Sequence, residues 1–286
     1  MAKKMLTKRR QQWGQERQAQ QFKGAALAHP LSAELQYRER MSRLIAEMIE
    51  EYGRELKRLY AKNPEITQDA SPTTYATRLL ASLGKKWSRE FGSRAGSIVD
   101  QFLGRVDRFA KQNLAASLRE MSGGLTIKTP QMPANLAVKM QASTAENVGL
   151  IKSIPAKFQE RIQGIVLRSI QSGGQGTATI FEEIQKLGQV TKDRARLIAV
   201  DQTRKVSTAI NNERMKSAGV RQFEWIHSGG GFEPRSLHVE YDGQVFDMDN
   251  PPIIDKTTGE RGLPGQLINC KCRMRPVIDF SGYLNE

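Results

Sequence analysis

Long stretches of this chain repeat apolar residues every three or four positions, which is the spacing of an amphipathic helix. Such a stripe runs from about residue 32 to residue 62, opposite a face crowded with glutamate and arginine. A second stripe runs from about Pro72 to Met121, with a break expected near Gly92 or Gly96. Because only a short loop separates the two stretches, we expect an antiparallel helix pair in which each helix buries the stripe of the other.

The helical pattern returns at Ala134, with interruptions expected at Pro155, at the glycine-rich residues 172–176 and between Leu187 and Thr191. After Gly219 the pattern changes to short apolar runs separated by clusters of glycine, proline and aspartate, which is typical of strands and turns. The sequence therefore predicts a mainly α protein with a small C-terminal α+β module of short strands and Gly/Pro-rich loops.

These changes of pattern divide the chain into five segments. They are a basic arm (1–28), a region of long amphipathic helices (29–122), a linker with a short helix (123–146), a second helical region (147–220) and the α+β module (221–286). We expect the two helical regions and the module to fold, because 38% hydrophobic content over 286 residues can build a core.

A formal net charge of +14 indicates a polyanionic partner, since summed positive potential attracts anions. The first 28 residues contain seven basic residues and one acid, Glu16. Nonspecific contact with double-stranded DNA, contact with an acidic protein surface and a merely solubilising terminus all fit such an arm. Its candidate contact residues are Lys3, Lys4, Lys8, Arg9, Arg10 and Arg17.

The chain contains neither a secretory h-region at its start nor a run of about 18 uncharged apolar residues, so we expect no signal peptide and no membrane span. These features predict a protein that is made and kept in the cytoplasm.

The two cysteines and a nearby histidine form a candidate metal site. Cys270 and Cys272 are too close in sequence for an ordinary disulfide, and in an extended strand their side chains project to the same side. Thiolates and imidazole suit a structural Zn²⁺ ion, which takes four ligands. His238 is the best third ligand, and Asp242, His227 or water could be the fourth. Buried reduced thiols beside a hydrogen-bonded histidine explain the same residues without metal.

The loops between residues 228 and 269 are rich in glycine and proline and contain few large apolar side chains, so burial offsets little of their ordering entropy. We expect a structural clamp to hold them, formed by Asp242, Gly243, Pro264 and Gly265 together with the candidate metal ligands. Catalysis is not expected here, because His238 is the only well-placed histidine and no nucleophile has a base beside it.

The order of the motifs resembles the phage head morphogenesis family of minor head proteins, typified by protein F of phage Mu. The resemblance covers about residues 145–280. It rests on Asn147–Ile151, Arg194–Gln202, Gly219, Trp225, Pro234–His238, Asp242-Gly243, Pro251-Pro252, Pro264-Gly265 and Cys270–Arg273. Where the family carries arginine in Ile-Ala-Arg-Asp-Gln, this chain has Val200.

The resemblance implies a minor structural head protein of a tailed phage or prophage, not an enzyme, that acts in procapsid assembly. Its implied partners are the portal protein and a major capsid or scaffolding protein. Its implied location is the interior of the head near the portal, after a stay in the host cytoplasm during assembly. The alternative is a DNA-binding or DNA-processing factor, such as an HNH-like nuclease, that is ejected with the genome.

Overall fold

The computed structural model of the chain describes residues 21–62, 71–124, 133–171, 177–229 and 234–279. Within these ranges lie five helices: α1 (Leu31–Lys62), α2 (Ser71–Met121), α3 (Ala134–Gln171), α4 (Thr177–Ser217) and the one-turn α5 (Ser236–Glu240). The four strands are β1 (Gln21–Lys23), β2 (Gln222–Ile226), β3 (Val245–Asp247) and β4 (Arg273–Asp279). The predicted fold class, mainly α with a small C-terminal sheet, is confirmed. None of the described helices has the length and apolar character needed to cross a membrane.

The chain divides into two compact units, each built from separate stretches of sequence. The helical unit takes its described residues from Pro30–Val106 and Met140–Val206. The sheet unit takes its described residues from Met1–His29, Asp107–Lys139 and Ser207–Glu286.

The helical unit is a bundle of four helices in which helices consecutive in sequence run antiparallel, whereas α1 and α3, which contact through Tyr37 with Asn147 and Tyr52 with Phe158, run parallel. Residues early in α1 meet residues late in α2, as in the stacked rings of Tyr37 and Phe102 and the ion pair of Lys86 with Glu51. The predicted pairing of the first two helices is therefore correct. Apolar stripes from all four helices fill the centre, because each helix has one face on which almost every side chain is buried.

Three of the expected helix breaks, near Gly92 or Gly96, at Pro155 and near Gly188, do not occur. α2 runs unbroken from Ser71 to Met121. α3 continues through Pro155, where the ring removes one backbone donor. The hydroxyl of Ser153 donates a hydrogen bond to the Leu150 carbonyl at 2.7 Å in the same turn. α4 also continues through Gly188. A β carbon at this position would lie only 2.8 Å from the Cδ1 atom of Ile49 in α1, so a larger residue would not fit. Gly188 thus permits a close helix contact instead of ending a helix.

The four strands of the sheet unit form one antiparallel sheet in the order β1-β4-β2-β3. The predicted apolar runs became β2, β3 and β4. β1 had no counterpart in the prediction, because residues 21–28 were assigned to the basic arm. Gln21–Lys23 instead form a strand that pairs with β4, with Gln21 opposite Asp279. Leu27, a few residues later, is buried in the core of this unit.

The core of the sheet unit includes Phe223 and Trp225 of β2 and apolar residues from the ends of α2 and α4. A partly buried ion pair lies beside this core. The guanidinium of Arg214, which is 1% exposed, donates to the Oδ1 atom of Asp107 from Nη2 at 2.5 Å and from Nε at 3.1 Å. This ion pair fixes α4 against α2 inside the unit.

Candidate metal centre

Three residues from separate elements meet in the core of the sheet unit. His238 lies on α5, and Cys270 and Cys272 lie immediately before β4. The backbone of Asn269 adopts a left-handed conformation, with φ 61°, which asparagine tolerates. It turns the chain just before Cys270. The side chains of the three residues are thereby directed into the core, where the edge of the His238 ring packs against Trp225.

The three potential ligand atoms lie within 4.8 Å of one another. The His238 Nδ1 atom is 3.5 Å from the Cys270 sulfur and 3.8 Å from the Cys272 sulfur. A tetrahedral zinc ion at normal bond lengths places a nitrogen and a sulfur ligand about 3.6 Å apart. Each of the three residues is only 3% exposed. The residues therefore fit a metal ion with soft and imidazole ligands.

The second ring nitrogen of His238 determines the role of the first. Its Nε2 atom lies 3.2 Å from the carbonyl oxygen of Ile254, an acceptor that requires an N–H donor. In the neutral ring the proton is therefore on Nε2, and the lone pair of Nδ1 faces the two sulfurs. A backbone carbonyl that orients a histidine in this way is the usual support of a metal-binding imidazole.

The two thiols hydrogen-bond to each other, which moves their pKa values in opposite directions. The pKa of Cys270 is lowered, chiefly because Cys272 hydrogen-bonds to its sulfur; burial opposes this, and the backbone N–H groups of Cys272 and Gly265 act in the same direction as the Cys272 thiol. The pKa of Cys272 is raised because it gives that hydrogen bond and is buried beside the charge of Cys270. A divalent cation bound between the two sulfurs would stabilise both thiolates.

Asp242, the predicted fourth ligand, lies outside this group. Its Oδ1 atom accepts the backbone N–H of His227 at 2.8 Å, which ties the end of β2 to the turn after α5. The imidazole of His227 also points elsewhere, since its Nδ1 atom accepts the N–H of Gly229. The neighbouring Gly243, with φ 77°, donates to the carbonyl of Trp225 at 2.8 Å.

The other predicted clamp residues, Pro264 and Gly265, lie directly beside the sulfurs. The buried carbonyl of Pro264 accepts a hydrogen bond from the hydroxyl of Thr208 on α4 at 2.7 Å. The N–H of Gly265 points at the Cys270 sulfur at 3.3 Å. The loop is therefore attached both to α4 and to the centre. Nothing in the sequence around Thr208 signals this contact.

The candidate contacts of the basic arm all lie outside the described residues. They are Lys3, Lys4, Lys8, Arg9, Arg10 and Arg17.

A buried polar network in the helical unit joins two of the sequence motifs. The side chain of Asn147 accepts a hydrogen bond from Tyr37 and donates one to the Gln202 Oε1 atom, each at 3.0 Å. Gln202 in turn donates to the carboxylate of Glu146 at 3.0 Å. The sequence places Asn147 and Gln202 in separate motifs, and only the fold shows that the two side chains bind each other.

Comparison with known proteins agrees with the resemblance. Residues 160–275, about two fifths of the 286-residue chain, match the model of the family described as "Phage Mu protein F like protein". The predicted relation to the phage head morphogenesis family is confirmed by this match. A protein of Haemophilus influenzae described as "Uncharacterized protein" is 28% identical over 268 residues, which are 93% of this chain and 57% of that relative. The chain thus spans a little over half of the relative's length. No solved structure matches the chain.

Proposed function

We propose that this protein is a minor structural head protein of a tailed phage or prophage that joins the procapsid near the portal. The match of residues 160–275 to the phage Mu protein F like family carries this proposal. That match covers α4, the strands β2 and β3 and all three residues of the candidate metal centre. Its partners would be the portal protein and a major capsid or scaffolding protein, and its place the interior of the head.

The structure supports a role as a rigid assembly part. The helical unit presents long exposed helix faces suited to docking, and its motif residues Asn147 and Gln202 are held by the buried network. The sheet unit holds its glycine- and proline-rich loops through Pro264, Gly265 and the metal centre. In this scheme the helices supply the docking faces, and the sheet unit is a cap with fixed loops.

Co-purification tests the assembly role. The tagged chain is co-expressed with the portal and major capsid proteins and isolated, and the stoichiometry of the complex is measured. We expect portal protein in a fixed ratio to the chain. Isolation of the chain without portal or capsid protein would refute the assembly role, and recovery of DNA in their place would favour the genome-binding alternative.

We propose that His238, Cys270 and Cys272 hold one structural Zn²⁺ ion. The distances among the ligand atoms, the hydrogen bond from Nε2 and the burial of all three residues support this. Water is the proposed fourth ligand, because Asp242 and His227 each accept a backbone hydrogen bond away from the centre. Metal analysis of the purified chain should give one equivalent of zinc, which Cys272→Ser should reduce. Metal-free protein would contradict the proposal.

We also propose that the centre is structural and not catalytic. His238 is buried, one ring nitrogen contacts a carbonyl and the other faces the sulfurs, so the ring is not available to a phosphodiester. Incubation with plasmid DNA and Mg²⁺ or Mn²⁺ should leave the plasmid intact. Cleavage that His238→Ala abolishes would establish a nuclease instead.

A further inference from the structure

A groove on the surface of the helical unit lies between α3 and α4. It is lined by Ile154, Lys157, Phe158 and Arg161 of α3 and by Val190, Thr191, Asp193, Arg194 and Leu197 of α4, and its volume is about 370 Å³. We call it the α3–α4 groove. Ile154 and Phe158 form a buried floor, whereas Val190 and Leu197 are 49% and 57% exposed. Both are thus apolar side chains that the fold leaves half in water.

The rim of the groove is basic, and its cations have no acidic partner. Among the described residues, no carboxylate lies within 4 Å of Lys157, Arg161 or Arg194. The buried Nε atom of Arg194 has no hydrogen-bond partner. The one acid of the rim, Asp193, already accepts a hydrogen bond from Gln189 at 3.1 Å.

Some other cations of the same unit do have acidic partners. Arg94 binds Glu47, and Lys205 binds Asp201. The groove lining itself carries three basic side chains and one acid, so its positive charge suits an external acid.

Two residues of one sequence motif, Arg194 and Leu197, line the groove and do not belong to the buried face of α4. In Arg194–Gln202, the side chains of Ala195, Ala199 and Gln202 are buried and serve packing. Arg194 and Leu197 instead line the groove. The packing of the bundle explains the first set. Of the second set, Arg194 donates from its Nη2 atom to the Ser153 hydroxyl at 3.4 Å, and Leu197 remains 57% exposed.

We propose that the α3–α4 groove is the docking site for an amphipathic helix whose apolar stripe is flanked by acidic side chains. That the helix belongs to another head component rests on the proposed function. Val190 and Leu197 are seven residues apart, or about 10 Å along α4, which matches anchors at i, i+3 or i+4 and i+7 of a bound helix. The acidic flanks follow from the three unpaired cations. A DNA backbone would engage the cations and leave both apolar side chains in water, so a peptide is the better complement.

Fluorescence anisotropy of labelled synthetic peptides on the full chain tests this. The probes are helical peptides of about 18 residues, or five turns, with leucines in the registers i, i+3, i+7 and i, i+4, i+7 and flanking glutamates. A matched set replaces every glutamate with lysine. The variants are Lys157→Glu and Arg161→Glu, at exposed positions where the fold tolerates a charge change. The control is Lys186→Glu, which makes the same charge change on an exposed position of α4 outside the groove.

We expect a glutamate peptide to bind the wild type at least about tenfold more tightly than its lysine version, with an affinity that falls as salt rises. Arg161→Glu and Lys157→Glu should each weaken binding by about tenfold, and Lys186→Glu should not. A lysine peptide should regain affinity for the variant that carries both groove substitutions.

Three results would overturn the proposal. The first is equal or absent binding of both peptide sets, and the second is binding that Lys186→Glu weakens as much as Arg161→Glu does. The third is a different occupant: self-association that Leu197→Ser abolishes would identify a second copy, and displacement of the peptide by a short DNA duplex would identify DNA. Because the probes are synthetic, peptide binding by a chain that fails to co-purify with portal would overturn the assembly role alone. Portal association that Arg161→Glu leaves intact would remove only the groove.

Discussion

Replacing His238 with alanine separates the packing of the imidazole ring from the binding of a metal ion. The ring is buried, so its loss opens a cavity beside Trp225 and leaves the carbonyl of Ile254 without its donor. An unsatisfied buried acceptor costs about 1–3 kcal/mol, and truncation of a large buried ring costs about 3–5 kcal/mol in total. Without metal, we therefore expect the centre to open about a hundredfold to a few thousandfold more often, at 1.4 kcal/mol per factor of ten.

The two cysteines provide the assay, since they are the only thiols of the chain. Both are buried, so their reaction with a disulfide reagent under native conditions requires local opening of the centre. The rate relative to the unfolded chain gives the free energy of that opening. Measured in excess chelator, the effect of His238→Ala reports packing alone.

In zinc the same substitution should have a larger effect, because it also removes a ligand. Small four-ligand zinc modules gain on the order of 10 kcal/mol from the metal, and three protein ligands should still gain several. We therefore expect the effect of His238→Ala on opening to be at least about tenfold greater in zinc than in chelator. His227→Ala is the matched control, because it removes an imidazole nearby that faces away from the centre. Equal effects of His238→Ala in zinc and in chelator would refute the metal proposal and leave a packed histidine.

Three further predictions concern stability and the arm. Gln202→Ala should lower the free energy of unfolding of the helical unit by about 2 kcal/mol, since it removes two buried hydrogen bonds, one of them to a carboxylate. Gln185→Ala, on the exposed side of α4, should change it by less than about 0.5 kcal/mol in the same urea titration. Arg214→Met should destabilise the sheet unit by about 3 kcal/mol, because it leaves the Asp107 carboxylate without its partner; a change below about 1 kcal/mol by thermal denaturation would contradict this. Deletion of residues 1–20 should lower the affinity of the protein for plasmid DNA and make that affinity less dependent on salt. Gel retardation that the deletion leaves unchanged would exclude the arm as a DNA contact.

The helices could be predicted from the sequence wherever an apolar stripe is long, as in α1 and α2. The wrongly predicted breaks near Gly92 or Gly96, at Pro155 and at Gly188 have a common cause: a glycine or proline is a local signal, whereas packing against neighbouring helices decides whether the helix continues. Gly188 stays helical because Ile49 lies against it from another helix. Three-residue β1 could not be found at all, since its pairing partner lies more than 250 positions away.

The sequence predicted which residues form the candidate site, because metal binding depends on residue type. It did not predict which way each side chain points. Cys270, Cys272 and His238 are the residues that the fold brings together. Asp242 was the first choice for the fourth ligand, yet its carboxylate accepts the backbone N–H of His227. The carbonyl of Ile254, which orients the imidazole, carries no sequence signal, because every residue has such a group.

The pairing of β1 with β4 has a mechanical consequence. Gln21, the first residue of β1, and Asp279, the last residue of β4, are opposite each other at one end of this ladder, so the two strands can be pulled apart from neighbouring points. A force that pulls these two residues apart acts perpendicular to the strands and breaks the β1–β4 hydrogen bonds one after another. A force along the strands would instead load all of these hydrogen bonds at the same time. Under force, β1 should peel away first and draw Leu27 out of the core after it.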